Sequence, residues 1–377
     1  MRHLVLFFSF LSLLVSIQFS SAALASPSVA PALDFVPERT GLLGVDKPEF
    51  QPSRGKQFSI PFELSQPGSV KIEIYTPDGD LVRTLDAAEA LPPARHELVW
   101  DGKDSDGLVV ADEAYVPVLK VKNTEGKTIV DDPRLYSGGE IMEDIRYRFR
   151  GKSEISYFLT APARVLIRAG VRSGPMMYAM AHWEPRSPGK VVQRWDGYDE
   201  DKVAYFAEHP RTWVLVMAYQ LPKYAIITSG NKKLSYRDYR KQRGWGLKSV
   251  DSNKIQLHRD GKPLEREHFF PRTFLPRLSF KIKDELPLSR HKLPVINGPV
   301  NFEITIPKED RWILEASMYE VSLYIDYKFQ SEEEQGFMPM MWRWQPKELK
   351  PGRHIATVVV TGYGGYVVSK TLAFESK

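Results

Sequence analysis

Three groups of side chains in this 377-residue sequence have the types and spacing that chemistry requires. Asp101, Asp104 and Asp106 stand just before Gly107, an oxygen-rich loop of the kind that can bind calcium. The helix-loop-helix calcium pattern demands an acid at its first ligand position. If Asp104, Asp106 and Glu113 take the third, fifth and twelfth, Gly102 falls there, so the alternative is a turn in which Asp101 and Asp104 satisfy backbone amides. The second group is Met176, Met177 and Met180 with His182, joined by Met338, Met340 and Met341 much later; thioether donors favour Cu(I). Both methionine runs follow a proline and lead to a Trp and a Pro, at Trp183 to Pro185 and Trp344 to Pro346, which reads equally as one repeated apolar strand packed in a core. No cofactor is implied, and the metal reading rests on these weak candidates alone.

The third group is Arg237, Arg240, Lys241 and Arg243 with Trp245, a basic run interleaved with aromatics. Its positive field could attract an anionic glycan, a phosphate-bearing lipopolysaccharide or an acidic protein surface. The competing reading is a solvated connector whose aromatics tuck against neighbours. Trp245, Tyr363 and Tyr366 could form a sugar platform or a protein interface, and nothing in the sequence separates the two. Motifs for catalysis are absent: there is no His-Glu-x-x-His, no Gly-x-Ser-x-Gly, no Gly-rich phosphate loop and no cysteine. The expectation is a protein that is not an enzyme.

The elements that must carry these residues come from a duplication. Trp100-Asp101-Gly102 and Trp195-Asp196-Gly197 lie 95 positions apart, and the same offset lays Ile60, Phe62, Leu64, Val70 and Ile72 on Ile155, Tyr157, Leu159, Val165 and Ile167 without a gap. Within the first copy, Val70 to Tyr75 alternates apolar with polar and runs into Thr76-Pro77-Asp78-Gly79-Asp80, which reads as a hairpin. One apolar face per strand predicts an antiparallel sheet packed on one side, and frequent turns predict a sandwich.

Phe58 to Leu64, the turn Pro77-Asp78-Gly79, the run Leu81 to Leu85 and the stretch Trp100 to Gly107 together resemble the FlgD-type immunoglobulin-like domain. The resemblance covers residues 49–120 well and 151–225 more loosely, since Tyr198-Asp199-Glu200-Asp201 loses the later glycine. It implies a β-sandwich and no reaction, with the two Trp-Asp-Gly triplets as structural motifs. The family's flagellar namesake is a hook-assembly scaffold with a hydrophilic N-terminal region not found here, so the hook role is not carried over.

Arg2 and His3 precede an apolar run, and Ala23-Leu24-Ala25 offers a cleavage site, so residues 1–25 read as a signal peptide. No later segment has the apolar length of a membrane span. With no cysteine, disulfides and acylated N-terminal cysteines are excluded, which suits a bacterial periplasm or surface. The formal charge is +5, yet residues 231–295 hold seventeen Lys or Arg against seven Asp or Glu.

The predicted order is a signal peptide at 1–25, a linker at 26–48, one sandwich at 49–124, a connector at 125–150, a second sandwich at 151–225, a basic connector with some strand at 226–295, and a diverged third sandwich at 296–377. In the third, Val321 to Phe329 reads as one long alternating strand before a turn-rich acidic run, Ser331 to Gly336. The fold class expected is all-β, as tandem immunoglobulin-like sandwiches. The function expected is an exported, non-catalytic scaffold or adaptor for an envelope or surface protein complex. Binding of an anionic polysaccharide is second and copper handling third; nucleic acid is excluded by export.

Overall fold

Alternation and turns build the first sandwich as the sequence implies. In Gly68–Tyr75 the side chains of Val70, Ile72 and Ile74 point inward and are buried. The strand turns at Thr76 to Asp80, where the Thr76 amide donates to the Asp80 carbonyl and Gly79 adopts φ 78°. It pairs with Leu81–Asp86 on one side and Ala114–Asn123 on the other. The opposing sheet is Gly41–Leu42, Phe58–Glu63 and Arg95–Trp100. Between them lie Phe62, Leu64, Ile72 and Tyr115, with Trp100 fully buried against Phe50 and Tyr115. Each large side chain so buried contributes about 1.5–3 kcal/mol.

The computed structural model describes residues 37–377 apart from 144, 151–153, 247–254, 273–274, 316–317, 348 and 364, and these form one unit. The expected signal peptide and most of the expected linker lie outside the described residues. The part of the linker that is described is not a tether: Leu42 pairs with Phe62 and is fully buried.

The second sandwich sets Arg148–Arg150, Glu154–Leu159 and Gly189–Arg194 against Met176–Arg186, Ala163–Val171 and Thr212–Gln220. Its core holds Ile155, Tyr157, Val165, Ile167, Met177, Met180, Trp195 and Phe206. Every residue of Ala163–Val171 is buried, including Arg164 and Arg168. The one-sided burial of Gly68–Tyr75 in the first sandwich is not repeated here, because the second face is closed by other parts of the chain.

After this sandwich the chain returns to the first. Ile226–Thr228 pairs antiparallel with Ala114–Asn123 and parallel with Glu49–Phe50, so the second sandwich is inserted between strands of the first. Thr228 Oγ1 accepts the Glu113 amide (3.0 Å) and donates to the Ala111 carbonyl (2.8 Å). Further on, Ser279–Ile282 pairs with Val300–Thr305. The interval 226–295 therefore supplies strands to the first sandwich and to the third.

The third sandwich sets Ser279–Ile282, Val300–Thr305 and Met340–Trp344 against Lys328–Glu333, Tyr319–Ile325, Gly352–Gly362 and Val367–Ser376. The single long strand expected from Val321 to Phe329 is two strands. Asp326 and Tyr327 both take positive φ, 48° and 65°, which makes a tight two-residue hairpin without the usual glycine. The acidic residues Glu332 and Glu333 accordingly sit in the outer strand of the sheet, not in a turn. The all-β tandem-sandwich fold holds throughout.

Thr228→Val should destabilise the chain by about 1–3 kcal/mol in urea unfolding, since the buried Glu113 amide loses its acceptor, while Thr228→Ser should cost under about 1 kcal/mol. Equal losses in the two variants would show that the returning strand is not held by this hydroxyl.

Candidate functional site: the acidic loops and the basic helix

In the first sandwich the Trp-Asp-Gly loop is shaped by its own backbone. Trp100 Nε1 donates to the Lys103 carbonyl (3.0 Å), and Asp101 Oδ1 accepts the Lys103 amide (3.0 Å). Asp104 Oδ1 accepts the amides of Asp106 and Leu108, each at 3.0 Å. Gly102 has φ 72°, and a Cβ there would lie 2.2 Å from Pro52 Cβ. The second copy repeats the pattern: Trp195 Nε1 donates to the Tyr198 carbonyl (2.8 Å), Asp196 Oδ1 accepts the Tyr198 amide (3.1 Å), and Asp199 Oδ1 accepts the amides of Val203 and Ala204. Gly197, at φ 86°, would set a Cβ 2.4 Å from the Tyr205 ring.

The basic run forms the short helix Tyr236–Gln242, started by Ser235, whose Oγ accepts the Asp238 amide (3.1 Å). Spacings of three and four place Tyr236, Tyr239, Arg240 and Arg243 on one side, and that side lies on the acidic loops of the first sandwich. Arg240 Nη1 bonds Asp78, and Asp80 Oδ2 at 2.7 Å; Tyr236 donates to Asp78 Oδ2 (2.8 Å). Tyr239 donates to Asp104 Oδ2 (3.1 Å), Arg243 pairs with Asp106, and Trp245 stands edge-on to Tyr239. Arg237 reaches the other way, to Asp310 of the third sandwich, which Arg277 also holds through Nε (2.8 Å).

Charge and burial have opposite effects here. Burial works against the Arg240 charge, and Asp78 and Tyr236 outweigh it, so its pKa rises. At Asp310, burial favours the neutral acid, but hydrogen bonds from Arg277 and Arg237 hold it well below the usual carboxylate range. Burial and then Asp104 push the Tyr239 phenol up.

The candidate ligand residues are thus corrected. Arg237, Arg240 and Arg243 face carboxylates of the same chain, and Trp245 packs on the first core; of the basic run only Lys241 and Arg237 keep much contact with solvent. The acidic loop is likewise occupied by Tyr239 and Arg243. Met177 and Met180 belong to the second core while Met176 lines a groove against Leu275 and Leu278, so the sulfurs do not converge. His182 is buried, and burial with Arg272 and Arg168 pushes it down to about 3. Among the described residues no group of three or more His, Asp or Glu is placed to hold a metal ion.

Other docking residues carry no sequence signal. Glu113, buried, takes Arg164 Nη1 (2.8 Å) from the second sandwich and Arg272 Nε (3.0 Å) from the following segment. Arg272 Nη2 also donates to the His182 carbonyl (2.8 Å). The second Trp-Asp-Gly loop docks on the third sandwich: Asp201 accepts Lys370 Nζ (2.6 Å) and the Thr371 amide (2.7 Å), and Arg353 donates to the Val203 carbonyl (2.7 Å). Nearby, Glu267 is pushed up to about 7 by burial and Glu265, against Arg272, Arg168 and Arg266, while burial and Arg259 push His268 down to about 4. Arg168 is pulled down to about 10 by burial and donates to the Gly365 carbonyl.

The sheets and these loops define a class: immunoglobulin-like sandwiches in tandem, joined loop to loop. Residues 48–127 match the FlgD Ig-like domain, and the chain carries an FlgD-like immunoglobulin-like domain there. Among solved structures it is similar to FlgD from P. aeruginosa, at 21% identity over 24% of this chain and 69% of that one, with a TM-score of 0.21. Fibronectin(III)-like modules of Clostridium thermocellum CbhA align at 9% identity over 87% of this chain and 88% of theirs, TM-score 0.19. A tetra-tandem repeat from the extending region of a large adhesion protein aligns at 10% identity over 90% and 74%, TM-score 0.17. Scores this low carry no argument about role. No curated protein matches the chain at a significant level. No helix among the described residues is long and apolar enough to cross a membrane.

Arg240→Met should cost about 3–5 kcal/mol in urea unfolding by leaving Asp78 and Asp80 buried without their cation, and adding Asp78→Asn with Asp80→Asn should recover most of it. A single variant as stable as the parent would remove the helix from its structural role.

Glu267 has a raised folded pKa, so its contribution is fully present below about 4.5 and is lost as pH rises through about 7; His268, with a lowered one, loses its contribution as pH falls from 6.5 toward 4. The two oppose each other from about 4.5 upward through 6.5, and His182, also lowered, acts in the same sense as His268. Between pH 6 and pH 8 the wild-type chain should lose stability relative to Glu267→Gln by at most about 3 kcal/mol, because the lowered histidines titrate alike in both chains. The same pH profile in both chains would count against a buried neutral Glu267.

Proposed function

We propose that this protein is an exported, non-catalytic scaffold or adaptor that binds a protein partner in an envelope or cell-surface assembly. The observation that carries the reading is at the far end of the third sandwich. Met318, Phe337 and Tyr363 are 63%, 54% and 61% exposed, and they lie around one edge of its sheet. The Tyr363 amide donates to the Met318 carbonyl (3.2 Å), the Gly336 amide to that of Tyr319 (2.9 Å), and Tyr363 OH to Glu320 Oε1 (2.7 Å). The hydrogen bond to Glu320, and then the charges of Glu320, Glu334 and Glu332, push the Tyr363 phenol up.

Apolar groups left in water and rimmed by carboxylates suit a partner with an apolar anchor flanked by Lys or Arg. Elsewhere the acids and bases of the loops face one another, so this patch is a surface with both apolar area and free charge. Export is supported by the apolar N-terminal run and the absence of cysteine.

Crosslinking and mass spectrometry on the tagged chain, purified from its own cells, should recover a defined partner linked near residues 318–337. Phe337→Ala with Glu332→Lys and Glu334→Lys should abolish recovery while the chain unfolds in urea at its usual midpoint. A partner retained by that variant, or a chain that comes out alone, would defeat the proposal.

A further inference from the structure

Where the first two sandwiches meet the segment that follows them lies a cavity of about 140 Å³, which none of the pairings above fills. Trp183, Tyr219 and Phe270 give it aromatic walls, and Arg164 and Arg272 give it cations. A space of this size holds a molecule about as large as benzene.

Arg164 is 5% exposed. Its Nη1 is used by Glu113 and by the Trp183 carbonyl (3.1 Å), but its Nη2 has no hydrogen-bond partner among the described residues. Buried polar groups are nearly always paired, and an unpaired guanidinium N–H is among the costliest exceptions. Around Glu113 two guanidiniums share one carboxylate, while around Arg240 two carboxylates, Asp78 and Asp80, share one guanidinium, so the two clusters balance. Asp78, on the wall, is engaged elsewhere: its Oδ2 is taken by Tyr236 and Arg240 and its Oδ1 by the Arg272 amide.

We infer that this cavity binds a small monocarboxylate with an apolar body, its carboxylate on Arg164 and its body against Trp183, Tyr219 and Phe270. One unpartnered donor on a buried guanidinium matches a carboxylate oxygen. A phosphate would bring more acceptor oxygens than there are donors and would set them against aromatic walls. Glu267, also on the wall, tunes the site. It faces Glu265 and Arg266 on its own turn, Arg168 from the second sandwich and Arg272 beyond. When neutral it leaves the wall's guanidiniums to the ligand, and when ionised it competes for them and repels a carboxylate, so binding weakens as pH rises through about 7. The neighbouring His268 stays neutral over that range and takes no part in the change.

The test is calorimetric titration of the full chain with benzoate and with benzamide, which has the same shape and no charge. The expected result is saturable one-to-one binding of benzoate at pH 6, benzamide weaker by on the order of tenfold or more, and a drop in benzoate affinity at pH 8 that Glu267→Gln removes. Ala114→Leu, which fills the cavity from a wall residue, should abolish binding in a chain that still folds. Absence of saturable benzoate binding to the wild-type chain, or benzamide binding as tightly, overturns the inference, as does a folded Ala114→Leu chain that binds as wild type does. The wild-type comparison decides the matter even where Ala114→Leu does not fold.

Discussion

A carboxylate withdrawn from water must find a cation or lose its charge, and the arrangement of this molecule depends on that constraint. Asp78, Asp80, Asp104, Glu113 and Asp310 are all buried, and the cations that meet them come from elsewhere in the chain. Such pairs add little net stability over well-packed apolar contacts, because the desolvation of both charges offsets their attraction. Their effect is on specificity: any other docking of helix on loop leaves several buried charges alone, each a large penalty. The order of the sandwiches is therefore selected by what mispairing would cost.

Much of the fold could be read from the repeat. The 95-residue offset holds down to single hydrogen bonds, with Trp100 and Trp195 donating to the carbonyl three residues on, and Asp101 and Asp196 accepting the amide two residues on. Local chemistry of that kind is written locally. What could not be read involves distance along the chain. Nothing in Ile226–Thr228 says that its hydrogen bonds go back to Ala114 and Tyr115. Asp326 and Tyr327 conceal a hairpin because neither is glycine and the alternation continues through them. Arg164 and Arg168 have the spacing of a solvent face, and it took the position of the neighbouring sandwich to bury them.

The site residues failed in the same way and for the same reason. The acidic loop and the basic aromatic run are both visible in sequence, and each suggests an outside ligand. Each turns out to be the other's partner: Asp78 and Arg240 are far apart in sequence, and pairing across such a separation leaves no local pattern. One composite signal did exist, the excess of positive charge at 231–295 beside a mildly acidic remainder. Glu113 and Arg272 had no signal at all, since a single acid and a single base give no spacing to read.

The return of Ile226–Thr228 to the first sandwich makes that domain a host and the second its guest. As the chain leaves the ribosome from its N-terminus, the host's sheet edge at Ala114 and Tyr115 stays open until the whole guest has emerged. The guest is complete in its own strands and can close first, bringing the two points of insertion together for the host to seal. Assembly thus runs from the middle outward, and a chain halted before residue 226 would expose an unsatisfied sheet edge, the feature by which quality-control proteases and chaperones distinguish unfinished from finished molecules.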